Sequence, residues 1–120
     1  MKTVMVVDDN EANLYLMACI IKKMGCRILQ ARTGEEGVDL AVRERPDLIV
    51  MDIKLPGIDG VEATRRIRQS EACAKVPILA VTAHAMTGDR ERFLQAGCNA
   101  HIEKPIDPVM IMAEIFAYLQ

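Results

Sequence analysis

Three acids stand where acids are least expected: Asp8 and Asp9 close the apolar run VMVV, and Asp52 interrupts LIVMDI. An ionised carboxylate among such neighbours is costly unless it is paired, which makes Asp52 hard to assign to solubility alone. Three carboxylates gathered in one pocket repel one another and hold their protons more tightly, so the pocket calls for a cation. Magnesium suits it, being a hard ion that takes one or two carboxylates and keeps water positions open for a phosphoryl group. With magnesium on Asp8 and Asp9, Asp52 becomes a candidate nucleophile towards phosphorus, forming an aspartyl phosphate. Thr82 and Lys104, at the ends of two later apolar runs, offer a hydroxyl and a cation for the oxygens of a transferring phosphoryl group.

Each residue also has an ordinary use. Asp8, Asp9 and Asn10 can cap a following helix. Thr82 can be a plain strand-to-helix residue, and Lys104, before Pro105, a solvated loop lysine.

Whether these groups meet depends on the elements that carry them. Short apolar runs at Thr3 to Val7, Cys26 to Ala31, Leu48 to Met51, Pro77 to Val81 and Ala100 to Glu103 alternate with longer segments of helical period. The first four read as buried strands and the fifth is weaker. Leu14, Met17, Ala18 and Ile21 recur at helical spacing, with Met24 at the end and Gly25 as a stop. Further helices are expected from Glu35 to Arg45 before Pro46, after the N-cap Asp59, from Ala85 to Gln95 before Gly97, and from Pro108 to Leu119. Five β-α units predict an α/β domain with a doubly wound five-stranded parallel sheet. In such sheets ligands gather outside the carboxyl ends of the strands, where Asp8, Asp9, Asp52, Thr82 and Lys104 all fall.

The rest of the composition narrows the function. A chain of 120 residues allows one domain, and 51% apolar with 27% charged residues excludes disorder. Fifteen basic against seventeen acidic residues give no attraction for nucleic acid or an anionic membrane. Cys19, Cys26, Cys73 and Cys98 form no C-x-x-C pair and only His84 and His101 are available beside them, so no zinc site is expected. Nothing supports a catalytic cysteine either; Cys73, in EACAK, is expected at an exposed connection, and the eight methionines as core fillers. No uncharged apolar stretch reaches the roughly 18 residues of a membrane helix, and no signal peptide is evident, so a cytoplasmic protein with reduced thiols is expected.

The pieces VMVVDDN, LIVMDIKLPGIDG, PILAVTAHA and AGCNAHIEKPID, with the spacing among them, resemble the receiver domain of bacterial two-component response regulators over essentially the whole chain. The resemblance implies a single domain over residues 1–120, with strand order 2-1-3-4-5. It also implies that Asp52 accepts a phosphoryl group and that magnesium is held by Asp8, Asp9, Asp52 and the backbone carbonyl of Lys54. In the same way Thr82 senses the phosphoryl group, Lys104 pairs with it, and the Lys104–Pro105 bond is cis. The donor implied is a phosphohistidine on a sensor histidine kinase or a histidine phosphotransfer protein. Such a protein is a switch and not a turnover enzyme.

Some positions depart from the family's commonest pattern. His101 stands where the family usually has Tyr or Phe, and reads either as a titratable switch side chain or as a surface histidine on an edge strand. Lys54 and His84 lie two residues beyond Asp52 and Thr82, positions that flank the route of attacking water in the family; a long-lived phosphoryl group is expected. The final helix has one charge, Glu114, between Val109 and Leu119, and its apolar residues cover more than the stripe a core needs. Either it is unusually well covered, or part of it is exposed for a downstream partner on the face formed by the fourth helix, fifth strand and fifth helix. Phosphohistidine partners of receivers dock by the first helix. Two rivals are a magnesium-dependent aspartyl-phosphate phosphatase and a degenerate receiver that acts only as a binding module. The phosphatase ordinarily needs an acid two residues past the nucleophile, where this chain has Lys54.

Overall fold

Alternating faces of one sheet organise the molecule. The computed structural model describes residues 1–83 and 86–120. Its elements are β1 (Thr3–Val7), α1 (Glu11–Lys23), β2 (Arg27–Ala31), α2 (Gly34–Glu44), β3 (Leu48–Asp52), α3 (Gly60–Arg68), β4 (Ile78–Thr82), α4 (Asp89–Ala96), β5 (Ala100–Glu103) and α5 (Pro108–Tyr118). The strands are parallel in the order β2-β1-β3-β4-β5, as the resemblance implied.

Because side chains alternate along a strand, each central strand feeds two cores. Val4, Val6, Leu48, Val50, Leu79 and Val81 pack against α1 and α5. Met5, Val7, Ile49, Met51, Ile78 and Ala80 pack against α2, α3 and α4. β1, β3 and β4 are therefore apolar on both sides, which is why they read as continuous runs, whereas β5, at the sheet edge, is half-buried.

Boundaries differ locally from the sequence expectation. β3 and β4 extend through Asp52 and Thr82, so two candidate site residues belong to the strands themselves. β2 begins at Arg27 and not Cys26. α2 runs one residue earlier than expected at each end; Arg45 takes a left-handed conformation, φ 49, since the residue before Pro46 is steered out of the helix. α4 starts at Asp89, later than expected. Gly88, at φ +90, turns the chain off the helical path, and the Asp89 carboxylate accepts the Met86 N–H at 2.8 Å. Ala85 and His84 lie outside the described residues. Cys73 corrects another expectation. It sits in a single 3-10 turn, Glu71–Cys73, and is buried, its thiol donating to the Ala41 carbonyl at 3.4 Å. Among the described residues no helix is long and apolar enough to cross a membrane.

Candidate functional site

Strand register brings the polar ends together. Val7 pairs with Met51, so the next residue of each strand, Asp8 and Asp52, stand side by side. Asp52 pairs with Val81 and Thr82 with Glu103, which sets Thr82 and Lys104 one step further along the same edge.

The capping question at β1 is settled by division of labour. Asn10 caps α1 by accepting the Asn13 N–H at 3.0 Å, and Asp8 is buried, its Oδ1 accepting the Asn10 N–H at 2.9 Å. Oδ2 of Asp8 is left facing Lys104 Nζ at 3.7 Å. Asp9, by contrast, is exposed.

Asp52 is only 4% exposed and its Oδ2 accepts from Lys104 Nζ at 3.1 Å. Lys104 is thus no solvated loop lysine but a cation placed between two buried carboxylates. Its own N–H donates to the Thr82 carbonyl at 2.8 Å, and its bond to Pro105 is cis. Burial pushes the Asp52 carboxyl above the ordinary range, and the Asp8 charge pushes it further. The Lys104 ammonium and the Lys54 backbone N–H, which donates to Asp52, oppose this. The carboxylate is therefore poised between a costly burial and two donors that favour its ionised form.

The loop after β3 is held tightly enough to fix that donor. Gly60 N–H donates to the Ile53 carbonyl at 2.8 Å, and a Cβ at Gly60 would lie 2.2 Å from the Asp52 carbonyl oxygen. Asp59 caps α3 through the Glu62 N–H at 2.9 Å. Sequence reasoning missed two participants here: the Lys54 N–H, and Glu35 of α2, whose carboxylate accepts the Ile58 N–H at 3.4 Å. The signal was Gly57 in LPGIDG. Its φ of +77 and a Cβ position 2.6 Å from Glu35 Oε2 mark a place where loop and α2 must approach closely.

Oxygens of Asp8, Asp9 and Asp52 all lie within 4.8 Å of one another. A cation with ligand distances of about 2.1 Å can draw such a set together with little movement, and three carboxylates are the donors that hard ions prefer. The donor set therefore fits magnesium.

Thr82 is buried at the end of β4. His101 is half-buried, opposite Ala80 on β5, with its ring edge-on to Phe93 of α4 at 5.9 Å between centroids. On this edge strand it thus has an aromatic partner while remaining partly exposed. His84 lies outside the described residues, so that part of the water-route expectation has no structural description.

Fold and site together define a flavodoxin-like α/β domain whose ligand edge is acidic and crossed by a lysine, a form suited to a cation-assisted phosphoacceptor. The sequence profile of the "Response regulator receiver domain" matches residues 4–116, and the chain belongs to that family, the receivers of two-component signalling. It is 44% identical over 118 residues to the "Polar-differentiation response regulator DivK" of Brucella anthropi, covering 98% of this chain and 96% of that one. Among solved structures, it is similar to the receiver domain of sensor histidine kinase PA1611 from Pseudomonas aeruginosa PAO1, with TM-score 0.90, 36% identity and coverage of 98% and 97%. That structure is described with a magnesium ion coordinated in the active site cleft. Chemotaxis protein CheY4 of Vibrio cholerae, at 23% identity, TM-score 0.94 and 99% coverage of both chains, shares the fold.

Proposed function

We propose that residues 1–120 work as one phosphoacceptor unit in which Asp52 takes a phosphoryl group from a phosphohistidine. The observation that carries this reading is the pairing of buried Asp52 with Lys104 at 3.1 Å, inside a set of three acids whose oxygens lie within 4.8 Å. A carboxylate oxygen of Asp52 attacks phosphorus, the phosphorus–nitrogen bond breaks, and the imidazole of the donor leaves with the electron pair and takes up a proton. An acyl phosphate remains on Asp52. Lys104, released from the carboxylate oxygen it now holds, pairs with a phosphoryl oxygen, and the Thr82 hydroxyl donates to another. Asp8, Asp9 and Asp52, with the Lys54 carbonyl, would hold magnesium; the ion of the PA1611 receiver supports the assignment. When bound, the ion neutralises charge on the transferring oxygens.

The domain modifies its own aspartate and signals, turning over no metabolite. A phosphatase would need an acid where Lys54 stands, exposed. The same Lys54 beside the route of water favours a long-lived phosphoryl group. The donor, a sensor histidine kinase or a histidine phosphotransfer protein, docks by the start of α1, near Asn10, Glu11 and Asn13. A downstream protein reads the face of α4, β5 and α5, with His101 behind it as the switch side chain. The proposed place of action is the cytoplasm, whose reducing chemistry suits the free thiols of Cys73 and Cys98.

Incubation with acetyl phosphate and magnesium, followed by intact-mass measurement, tests the assignment. The wild-type chain gains a phosphate-sized mass and Asp52→Asn does not; a gain that survives in the variant removes Asp52 from the role.

A further inference from the structure

We infer that the groove between β5 and the start of α5 docks an amphipathic helix of a partner protein whose apolar face is flanked by lysine or arginine. The inference rests on the receiver reading and deepens it by giving the chemistry of the downstream partner.

α5 carries two apolar stripes where docking on its own sheet needs one. Ile111 and Ile115 are fully buried in the core shared with α1. Val109, Met110 and Phe116 are 76%, 65% and 62% exposed, and Ala113 and Ala117 are exposed beside them. This outward stripe contains no charge. At its edge Met110 enters a groove of about 310 Å³, lined also by His101, Ile102 and Pro105, with Glu103, Asp107 and Glu114 as its three acids. That volume is at the small end for a ligand pocket, and accepts anchoring side chains more readily than a whole small molecule.

Charge selects among the possible occupants. Asp107 is committed to α5, accepting the Val109 and Met110 N–H groups, but among the described residues Glu103 and Glu114 form no ion pair. A second copy meeting this patch about a two-fold axis would set the acidic lining against itself. An anionic lipid surface or a phosphate backbone would be repelled in the same way. A helix with an apolar face and basic flanks meets both features at once: its large side chains cover Met110, Ile102 and Phe116, and its cations meet Glu103 and Glu114.

Two helical peptides of about 18 residues, five turns each, test this: one with a leucine face flanked by lysines, the other identical but flanked by glutamates. Each is titrated into the full chain treated with acetyl phosphate and magnesium, and backbone amide shifts and dissociation constants are read. The lysine peptide is expected to bind about tenfold or more tightly than its glutamate counterpart, with shifts gathered from Ile102 to Ala117. The preference is expected to fall to about twofold or less in Glu103→Gln/Glu114→Gln and to persist in Asp39→Asn, a change to an exposed acid on α2. Equal binding of the two peptides, shifts on another face, or a preference that survives the double variant overturns the inference. So does a stable dimer that Phe116→Glu disperses, since a second copy would then cover the stripe. Intact mass on the same samples separates the two levels: peptide failure with the phosphate-sized gain present sinks only this inference, and failure of the gain sinks the receiver reading beneath it.

Discussion

The two flanks of the sheet are built to different tolerances. On the α2–α3 side, Cβ atoms at Gly34, Gly37 and Gly60 would lie 2.6, 2.9 and 2.2 Å from Ile58, Val7 and the Asp52 backbone. Both helices there start with a side-chain cap, from Thr33 and Asp59. On the α4–β5–α5 side, α4 has only eight residues and no side-chain cap, β5 is half-buried, and His101 lines two cavities of about 160 and 310 Å³. Leu94, Val109, Met110 and Phe116 stand exposed there. The site straddles the two. Asp8, Asp52 and Thr82 stand at the ends of interior strands, while Lys104 follows the edge strand β5 on the looser flank and reaches the same pocket. Fixed acids beside a cation that comes from the looser edge suit a switch: chemistry at one place, rearrangement at another.

Substitutions test this contrast, beginning with one glycine on each flank. Gly60→Ala must push backbone against backbone at 2.2 Å and is expected to cost about 3 kcal/mol in urea unfolding. Gly88→Ala has no atom within 4 Å of the new Cβ and meets only the strain of φ +90, about 1 kcal/mol. Equal costs would show that the two flanks are alike. Lys104→Met leaves two buried carboxylates facing each other without their cation. It is expected to destabilise the chain by about 2 kcal/mol, below the figure for a fully buried pair since the ammonium is 21% exposed.

Asp52→Asn should act the other way and stabilise the magnesium-free protein by on the order of 1 kcal/mol, read as a higher thermal midpoint. The pH dependence follows from the same cause. Folding raises the affinity of the Asp52 carboxyl for its proton, so between the ordinary carboxylate range and the raised value the folded state holds more protons than the unfolded. Stability from this group is therefore present at the lower pH and is lost as pH rises through that window. The difference between wild type and Asp52→Asn should grow over the same window and level off above it. The smallest effect belongs to the exposed stripe: Phe116→Ala should change unfolding by no more than about 0.5 kcal/mol.

Much of the site was legible because burial and charge already conflict in the linear order of the residues. Asp52 within LIVMDI, and Asp8 after VMVV, are costly unless partnered, and the parallel-sheet pattern says where partners must come from. The surplus of apolar residues on α5 was equally readable, and the exposure of Val109, Met110 and Phe116 shows that the helix is not fully covered by its own domain. Features made by a few residues in three dimensions were not. The Thr87–Gly88 turn that delays α4 has no periodicity, and Cys73 is buried by a single 3-10 turn in a stretch that reads as polar loop. Arg68 looks like one more cation in RRIR, yet its guanidinium donates to the carbonyls of Gly97 and Cys73 and to Asn99 Oδ1, tying α3 to the approach to β5. Backbone acceptors carry no sequence signature.

Amide hydrogen exchange with and without acetyl phosphate and magnesium tests the division into a fixed and an adjustable flank most directly. Before treatment, amides of α4, β5 and the first turn of α5 should exchange faster than those of α2 and α3. On treatment, protection should change chiefly from Thr82 onward and stay nearly constant across α2 and α3. A change of equal size on both flanks, or one centred on α2 and α3, would contradict the account.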